Sequence, residues 1–211
     1  MYRPKQFEIA DDAEMLDLIR ANGFAVLVTH GADGMIASHV PLHLIKDGDS
    51  DGWLLWGHLA KANTQWQAFD AQAEALAIFS GPHTYISPDW YETEKSVPTW
   101  NYEAVHVYGA PRVMNDPRAV VARLASLTAQ YEDGRKTPWS MAELPDDFVA
   151  AQIKGIVAFE MPVARLEGKR KMSQNRKPED VKGAMAGLKK TGRADDETVA
   201  GIMADANKDR I

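Results

Sequence analysis

The sequence contains no cysteine. Disulfides, thiolate catalysis, cysteine-ligated zinc and iron–sulfur clusters are therefore excluded. No apolar run reaches membrane-spanning length, so no contact with a membrane is expected. The N-terminus lacks a basic segment leading into an apolar one, so no signal peptide is expected and the cytoplasm is the expected compartment. Positive charge is in deficit: 24 Lys and Arg face 30 Asp and Glu, for a net charge of −6. That balance argues against broad binding to a phosphate backbone. Nucleophile-elbow, Walker and dinucleotide-fingerprint motifs are also missing, which limits any nicotinamide to a transient co-substrate.

What is present is an ordinary globular composition, 45% hydrophobic over 211 residues, enough for one domain with its own core. Charge is unevenly placed. Lys169-Arg170-Lys171 and Arg176-Lys177 form a basic patch ahead of the C-terminal segment. It reads either as a solvated loop or as a phosphate or anion site.

The periodicity predicts mostly strands in the first two-thirds. Asp11 with Glu14 forms a capping-box start, Met15, Leu16 and Ile19 form a helical stripe, and Gly23 fits the stop. Residues 24–29 and 35–46 read as strands of a hairpin around a turn at 31–34. A loop at 47–52, a strand at 53–56, a short helix at 61–69 and a strand at 75–80 follow, then a strand at 105–114. Asp116-Pro117 is a helix start, with Val120, Leu124, Leu127 and Tyr131 as its apolar face. A short helix at 145–153, a long strand at 155–166 and helices near 178–190 and 195–206 complete the chain. The pattern predicts an α+β chain, mainly β with helical additions, of the closed antiparallel barrel type.

His39 and His43 have the spacing of a helical metal pair. Pro41 between them, and the alternation of Val40, Leu42 and Leu44, favour a strand. Two such side chains start about 13 Å apart, too far for one ion, so no metal site is expected. Residues 81–106 hold three prolines, three tyrosines, two tryptophans and two histidines. So many turn-formers and polar-tipped aromatics suit the wall of an aromatic pocket better than a core.

Four stretches, in one order along nearly the whole chain, carry a resemblance. They are Met1-Tyr2-Arg3-Pro4-Lys5-Gln6-Phe7, Gly57-His58-Leu59-Ala60-Lys61-Ala62-Asn63, the block 81–102, and Lys171-Met172-Ser173-Gln174-Asn175-Arg176. On these the chain resembles the PaiB-type FMN-binding split-barrel proteins, often named negative transcriptional regulators. The resemblance implies a split β-barrel of the flavin-binding type over residues 1–167, with 168–211 as a basic segment and helices packing on it. It implies FMN as cofactor, and a homodimer whose two half-sites cover the flavin. Flavin split barrels place phosphate contacts at this strand-to-helix junction, which puts Lys61 on the phosphate with His58 and Asn63 as neighbours. The strand through Ser38 and His39 would pass beside the isoalloxazine. Tyr85, Trp100, Asn101, Ser173, Gln174 and Arg176 complete the expected cofactor contacts. His83 and His106 are the expected catalytic acid–base groups if the flavin does redox work, since imidazole titrates near neutral pH. The family name implies control of transcription, and any DNA or protein partner would meet the C-terminal segment. Some related split barrels handle heme, so heme binding or degradation through His83 or His106 is the alternative.

Overall fold

The computed structural model describes residues 1–32, 34–48, 50–69 and 73–211. Asp33 of the expected turn and Asp49 of the expected loop lie outside the described residues. The chain divides into two compact units that alternate along the sequence. Unit 1 is residues 1–22, 79–106 and 166–211, and unit 2 is residues 23–78 and 107–165. The expected boundary at 167/168 falls inside a strand, Arg165–Lys171, whose Gly168 and Lys169 pair with Ile9 and Glu8.

Unit 1 contains β1 (Glu8–Ile9), α1 (Asp12–Ala21), most of β6 (Ala75–Ile86), β7 (Thr99–Gly109) and β10 (Arg165–Lys171), then α4 (Pro178–Lys190) and α5 (Ala194–Ala206). The strands lie in the order β1-β10-β7-β6. Asp11 caps α1 by accepting from the Ala13 N–H at 2.9 Å, and Met15, Leu16, Leu18 and Ile19 form its buried stripe. The helix ends at Ala21 with Asn22 as its C-cap, just before Gly23, and the Asn22 side-chain amide donates back to the Leu18 carbonyl at 2.9 Å. Ile86, Met172, Val181, Leu188, Val199 and Met203 form the core between the strands and the C-terminal helix pair.

The expected strand at 75–80 runs on to Ile86, through the start of the aromatic block. Its alternation slips by one residue at Pro82: Phe79 and Gly81 are buried, and then Thr84 and Ile86. Proline has no N–H for a ladder, and an inserted residue is the usual way a strand absorbs it. Trp90 and Tyr91, half-buried, pack against this unit's core. Gly183 and Gly187, one helical turn apart on α4, leave the groove Trp90 fills. A Cβ on Gly183 would meet the Trp90 carbonyl oxygen at 2.0 Å, and one on Gly187 would meet the indole at 2.3 Å.

Unit 2 contains the hairpin of β2 (Phe24–Gly31) and β3 (Gly34–Pro41), with β2 also paired to the first residues of β6. A second sheet has the order β4 (His43–Lys46), β5 (Trp53–Ala60), β9 (Ile156–Pro162), β8 (Arg112–Val113). The strand expected over 35–46 is therefore two. Leu42 separates them by donating its N–H to Gly23 O at 2.8 Å, after Pro41 has ended the ladder. His39 and His43 thus stand in different sheets, opposite Val26 and Trp56. The strand expected over 155–166 is likewise split into β9 and β10, and that over 105–114 into β7 and β8. Helix α2 (Pro117–Glu132) starts as predicted, capped by the Asp116 carboxylate on the Arg118 N–H at 2.9 Å. It lays Val120, Leu124 and Leu127 on Trp56 and Ala158 of the second sheet. Helix α3 (Asp146–Ile153) has no fully buried residue.

Candidate functional site

The junction after β5 is held by backbone and side-chain hydrogen bonds. The Lys61 N–H donates to Gly155 O at 2.8 Å and the Asn63 N–H to Ala60 O at 2.9 Å, which turns the chain. Asn63 then does two jobs. Its Oδ1 accepts from the Gln65 N–H at 3.0 Å, and its Nδ2 donates to Ser38 Oγ at 2.9 Å. Behind it the fully buried Gln65 donates from Nε2 to Leu27 O, Thr29 Oγ1 and Ile36 O, tying the corner to β2 and β3. The helix expected at 61–69 is a five-residue 3-10 turn, Thr64–Ala68, because these side-chain bonds bind the segment to the hairpin. A turn that short carries little macrodipole. Attraction for an anion rests instead on the exposed Lys61 ammonium and on the Ser38 hydroxyl, which accepts from Asn63 and keeps its own hydrogen for another acceptor. A cleft of about 270 Å³ adjoins Lys61, walled by Trp66, Met114, Asn115, Pro117 and Ile153.

His58 does not join that corner. It faces the side of β5 that carries Trp56, whose ring lies 6.0 Å away, opposite Ala158 and toward α2. Its Nδ1 is buried without a hydrogen-bond partner, and burial pushes its pKa down. His43 is in the same condition, its pKa lowered by burial and by the Arg123 charge on α2. His39 is exposed on β3, its ring stacked on Phe24 at 6.0 Å.

In unit 1 the structure brings His83, Tyr85 and Trp100 together on an exposed face. The Trp100 ring lies 6.3 Å from His83 and 6.1 Å from Tyr85, edge-on to the latter. Asn101 points the other way and is fully buried. It exchanges hydrogen bonds with Ser173, whose left-handed φ of 65° is held there. These two side chains are spent on each other and offer no surface to a ligand. Gln174 also acts locally, accepting from the Met172 N–H at 2.6 Å and donating to Arg170 O at 2.7 Å. Arg176 lies over the Tyr91 ring at 4.5 Å, and Arg210 bonds to the carbonyls of Gln174 and Arg176. His106 is half-buried on β7. Burial and the N-terminal ammonium lower its pKa, against the pull of Glu167.

Two buried carboxylates were not legible in the sequence. Asp180 accepts from the Thr93 N–H at 3.0 Å and its hydroxyl at 2.8 Å, tying the loop after β6 to α4. Asp196 accepts from the Thr84 hydroxyl at 2.5 Å and the Thr191 hydroxyl at 2.7 Å. Burial pushes both carboxyls up, but these hydrogen bonds, with Arg176 near Asp180 and Arg193 near Asp196, outweigh it and hold both below the usual carboxylate value. Each sits in the first turn of a helix, where acids are common on the surface, so sequence gave no sign of burial.

Lys61 supplies a cation and Ser38 a hydroxyl donor near this junction, groups of the kind a phosphate monoester such as that of FMN takes. Among the described residues no cluster of three metal-ligating side chains occurs, and no helix is long and apolar enough to cross a membrane. Residues 1–165 match the family described as "Putative FMN-binding domain". The chain is 34% identical over its full length to the full length of the Bacillus subtilis protein named protease synthase and sporulation protein PAI 2. An uncharacterized protein of Emericella nidulans is 30% identical, across 88% of this chain and 89% of its own. Among solved structures, the FAD and heme binding protein of Mycobacterium smegmatis superposes with a TM-score of 0.58 at 15% identity, covering 78% of this chain and 73% of its own. A flavocytochrome of Azotobacter vinelandii gives 0.58 at 12%, covering 81% and 72%. The mainly β split barrel with helical additions expected from the sequence is the fold these likenesses bear out. The chain belongs to this FMN-binding domain family, and its cofactor is FMN.

Proposed function

We propose that the chain works in the cytoplasm as a homodimeric, FMN-dependent regulator, with the flavin phosphate anchored at Lys61. One observation carries the reading: Asn63 bonds the Ser38 hydroxyl two residues from Lys61, whose backbone N–H is fixed on Gly155 O, so the chain turns with a cation and a hydroxyl on either side of Asn63. Strand β3 is last in its sheet order, so among the described residues one of its edges has no strand partner. That edge offers backbone groups to the flavin ring beside Ser38 and His39. The name of the Bacillus subtilis relative, with its reference to protease synthesis and sporulation, supports a regulatory role. FMN, when bound, supplies hydride or electron chemistry; the chain supplies orientation and the phosphate contact.

Lys61→Ala tests the anchor. Losing a charge-assisted contact worth roughly 1.5–3 kcal/mol lowers FMN affinity about tenfold to a hundredfold. Riboflavin, without the phosphate, keeps its affinity. Equal losses for both ligands overturn the assignment, and a heme band in place of flavin absorbance overturns the cofactor role. Light scattering of the FMN-bound protein reads the dimer, and DNA binding at stated salt, with and without FMN, reads the regulator.

Flavin redox catalysis is the second reading. His106 favours it, because burial and the N-terminal ammonium lower its pKa against the pull of Glu167, which favours the neutral imidazole a general base needs. Exposed His83 is its companion. Oxidation of a nicotinamide donor by the FMN-bound protein, lost in His106→Gln, is the test.

A further inference from the structure

Helices α2 and α3 of unit 2 run antiparallel, with Pro117 and Arg118 of α2 beside Ile153 and Lys154 of α3. The seam between them is poorly filled. A cavity of about 430 Å³ lies between Arg118 and Val121 on one side and Val149, Ala150 and Lys154 on the other. A second, of about 280 Å³, continues past Val121 and Val149 to Ala125, Trp139, Met141 and Leu144. Val121, Asp146 and Val149 line both, so the two cavities form one trough. Its α2 wall, from Pro117 to Ala129, is about 18 Å long at the helical rise per residue. Protein interiors pack as densely as organic crystals, and voids larger than a water are few. Here α3 lies on α2 without burying any of its residues fully, and both helices forgo contacts along the seam.

The two ends of the trough differ in charge. Arg118 and Lys154 stand together at one end, both exposed. Among the described residues, neither has a carboxylate within ion-pair distance. Asp116, the acid nearest Arg118 in sequence, is spent on capping α2: it accepts from the Arg118 N–H at 2.9 Å. Asp146 is the one acid that lines the trough, and it sits eight residues before Lys154, about 12 Å away along α3. The far end has no cation and is closed by Trp139, Met141 and Leu144. A cationic mouth therefore opens onto a long apolar channel. The molecule complementary to it has an anionic head and an apolar tail. A compact ring would fill one half of the trough and leave the other open, whereas a flexible chain spans both halves past Val121 and Val149.

We propose that the α2–α3 trough binds a free fatty acid of medium chain length, its carboxylate on Arg118 and Lys154 and its alkyl tail along Val121, Val149 and Ala125 toward Trp139. The paired cations select the carboxylate, and the length of the apolar wall selects the chain. The site does not depend on the phosphate anchor. Pro117 and Ile153 line both the trough and the cleft beside Lys61, and no other residue is shared between them.

The test titrates FMN-loaded protein by calorimetry with hexanoate, octanoate, decanoate, decanol and decylamine, each below its micelle concentration, and reads retained flavin absorbance in the same samples. One carboxylate should bind per chain, with affinity rising up to about fourfold for each methylene added. Decanoate should bind about tenfold tighter than decanol or decylamine. Arg118→Gln combined with Lys154→Gln should erase the preference over decanol. Ala125 and Ala150 are exposed, so a larger side chain at either position fills the trough without entering the core. Ala150→Trp, near the mouth, should weaken every carboxylate, while Ala125→Trp, in the far half, should weaken decanoate and spare hexanoate. Lys61→Ala at saturating FMN should bind decanoate as before. Absence of saturable binding, an affinity indifferent to chain length, or equal binding of decanol overturns the proposal. So does displacement of FMN by decanoate, or decanoate binding unchanged in Ala150→Trp, since the tail then lies elsewhere. If Lys61→Ala fails its own comparison of FMN with riboflavin while decanoate still binds, the anchor reading falls and this site stands.

Discussion

The polar groups buried beneath the helices of the two units differ. In unit 1 the buried carboxylates Asp180 and Asp196 each receive two hydrogen bonds from threonines, and Asn101 and Ser173 satisfy each other. In unit 2 the layer between the second sheet and α2 holds His43 and His58 with their Nδ1 atoms unpartnered. A satisfied polar network locks one arrangement, whereas an orphaned imidazole weakens the packing around it and waits for a proton. Unit 1 therefore has its helices fastened by specific bonds as well as by core. Unit 2 holds α2 and α3 by apolar contact alone at these points, and α3 has no fully buried residue.

The strongest way to break this contrast is to damage the fastened unit. Gly183→Ala drives a Cβ to 2.0 Å from the Trp90 carbonyl oxygen, an obstacle made of backbone that no rotamer change removes. Overpacking of this kind costs about 1–3 kcal/mol, and a backbone obstacle puts it at the upper end. Urea unfolding should show the lowered midpoint, with hydrogen exchange quickened in α4. If Gly183→Ala leaves stability unchanged, the α4–Trp90 contact is loose and the comparison loses its firmer half.

Much of the fold could be read before the structure because its signals are local. Asp116-Pro117 starts α2 and Pro178 opens α4 as the sequence predicts, since capping and proline geometry act within one turn. Strand ends were less legible. The breaks at Leu42 and between β9 and β10 are set by hydrogen bonds to distant residues, such as Leu42 N–H to Gly23 O. For the candidate site, Lys61 and Asn63 share the junction after β5, Ser38 of β3 is bonded to Asn63, and His58, expected beside Lys61, turns toward Trp56. Which face of a strand looks toward a helix depends on where that helix packs, and α2 is some sixty residues away in sequence. Asn101 and Ser173, cofactor contacts by resemblance, are buried and bonded to each other, and a buried amide is identical to an exposed one in a sequence; only packing separates them.

Acid should separate the units. The folded-state pKa values of His43 and His58 are lowered by burial, so the fold favours their neutral forms. Their contribution is complete above the ordinary histidine pKa of about 6.5 and is lost as pH falls through it toward the folded values. Asp180 and Asp196 are also lowered, so their contribution is complete above about 3.9 and is lost only as pH falls through their folded values. Between these limits α2 should lose hydrogen-exchange protection while α4 keeps it. His106 in unit 1 titrates in the same direction, but its named neighbours are the N-terminal ammonium and Glu167 on the strands, so the α4 amides are the proper comparison. A variant with His43→Leu and His58→Leu should flatten the α2 response. Loss of α4 protection first would reverse the ranking of the two units.

The smallest effect is expected at α3, where the comparison is most easily sharpened. Phe148 is 49% exposed, and the helix meets the rest of unit 2 through half-buried residues, with Ile153 against the Trp56 cluster. Phe148→Ser removes a side chain that already sees water, so its effect on urea unfolding should stay within about 0.5 kcal/mol. Ile153→Ser is the contrasting change, because it removes α3's contact with the sheet and should quicken exchange in α3. A cost well above 1 kcal/mol for Phe148→Ser would mean that the residue is covered in solution. Dependence of that cost on protein concentration would identify the cover as a second copy of the chain. A cost independent of concentration would place Phe148 in unit 2's own core, and the picture of a weakly fastened α3 would then be wrong.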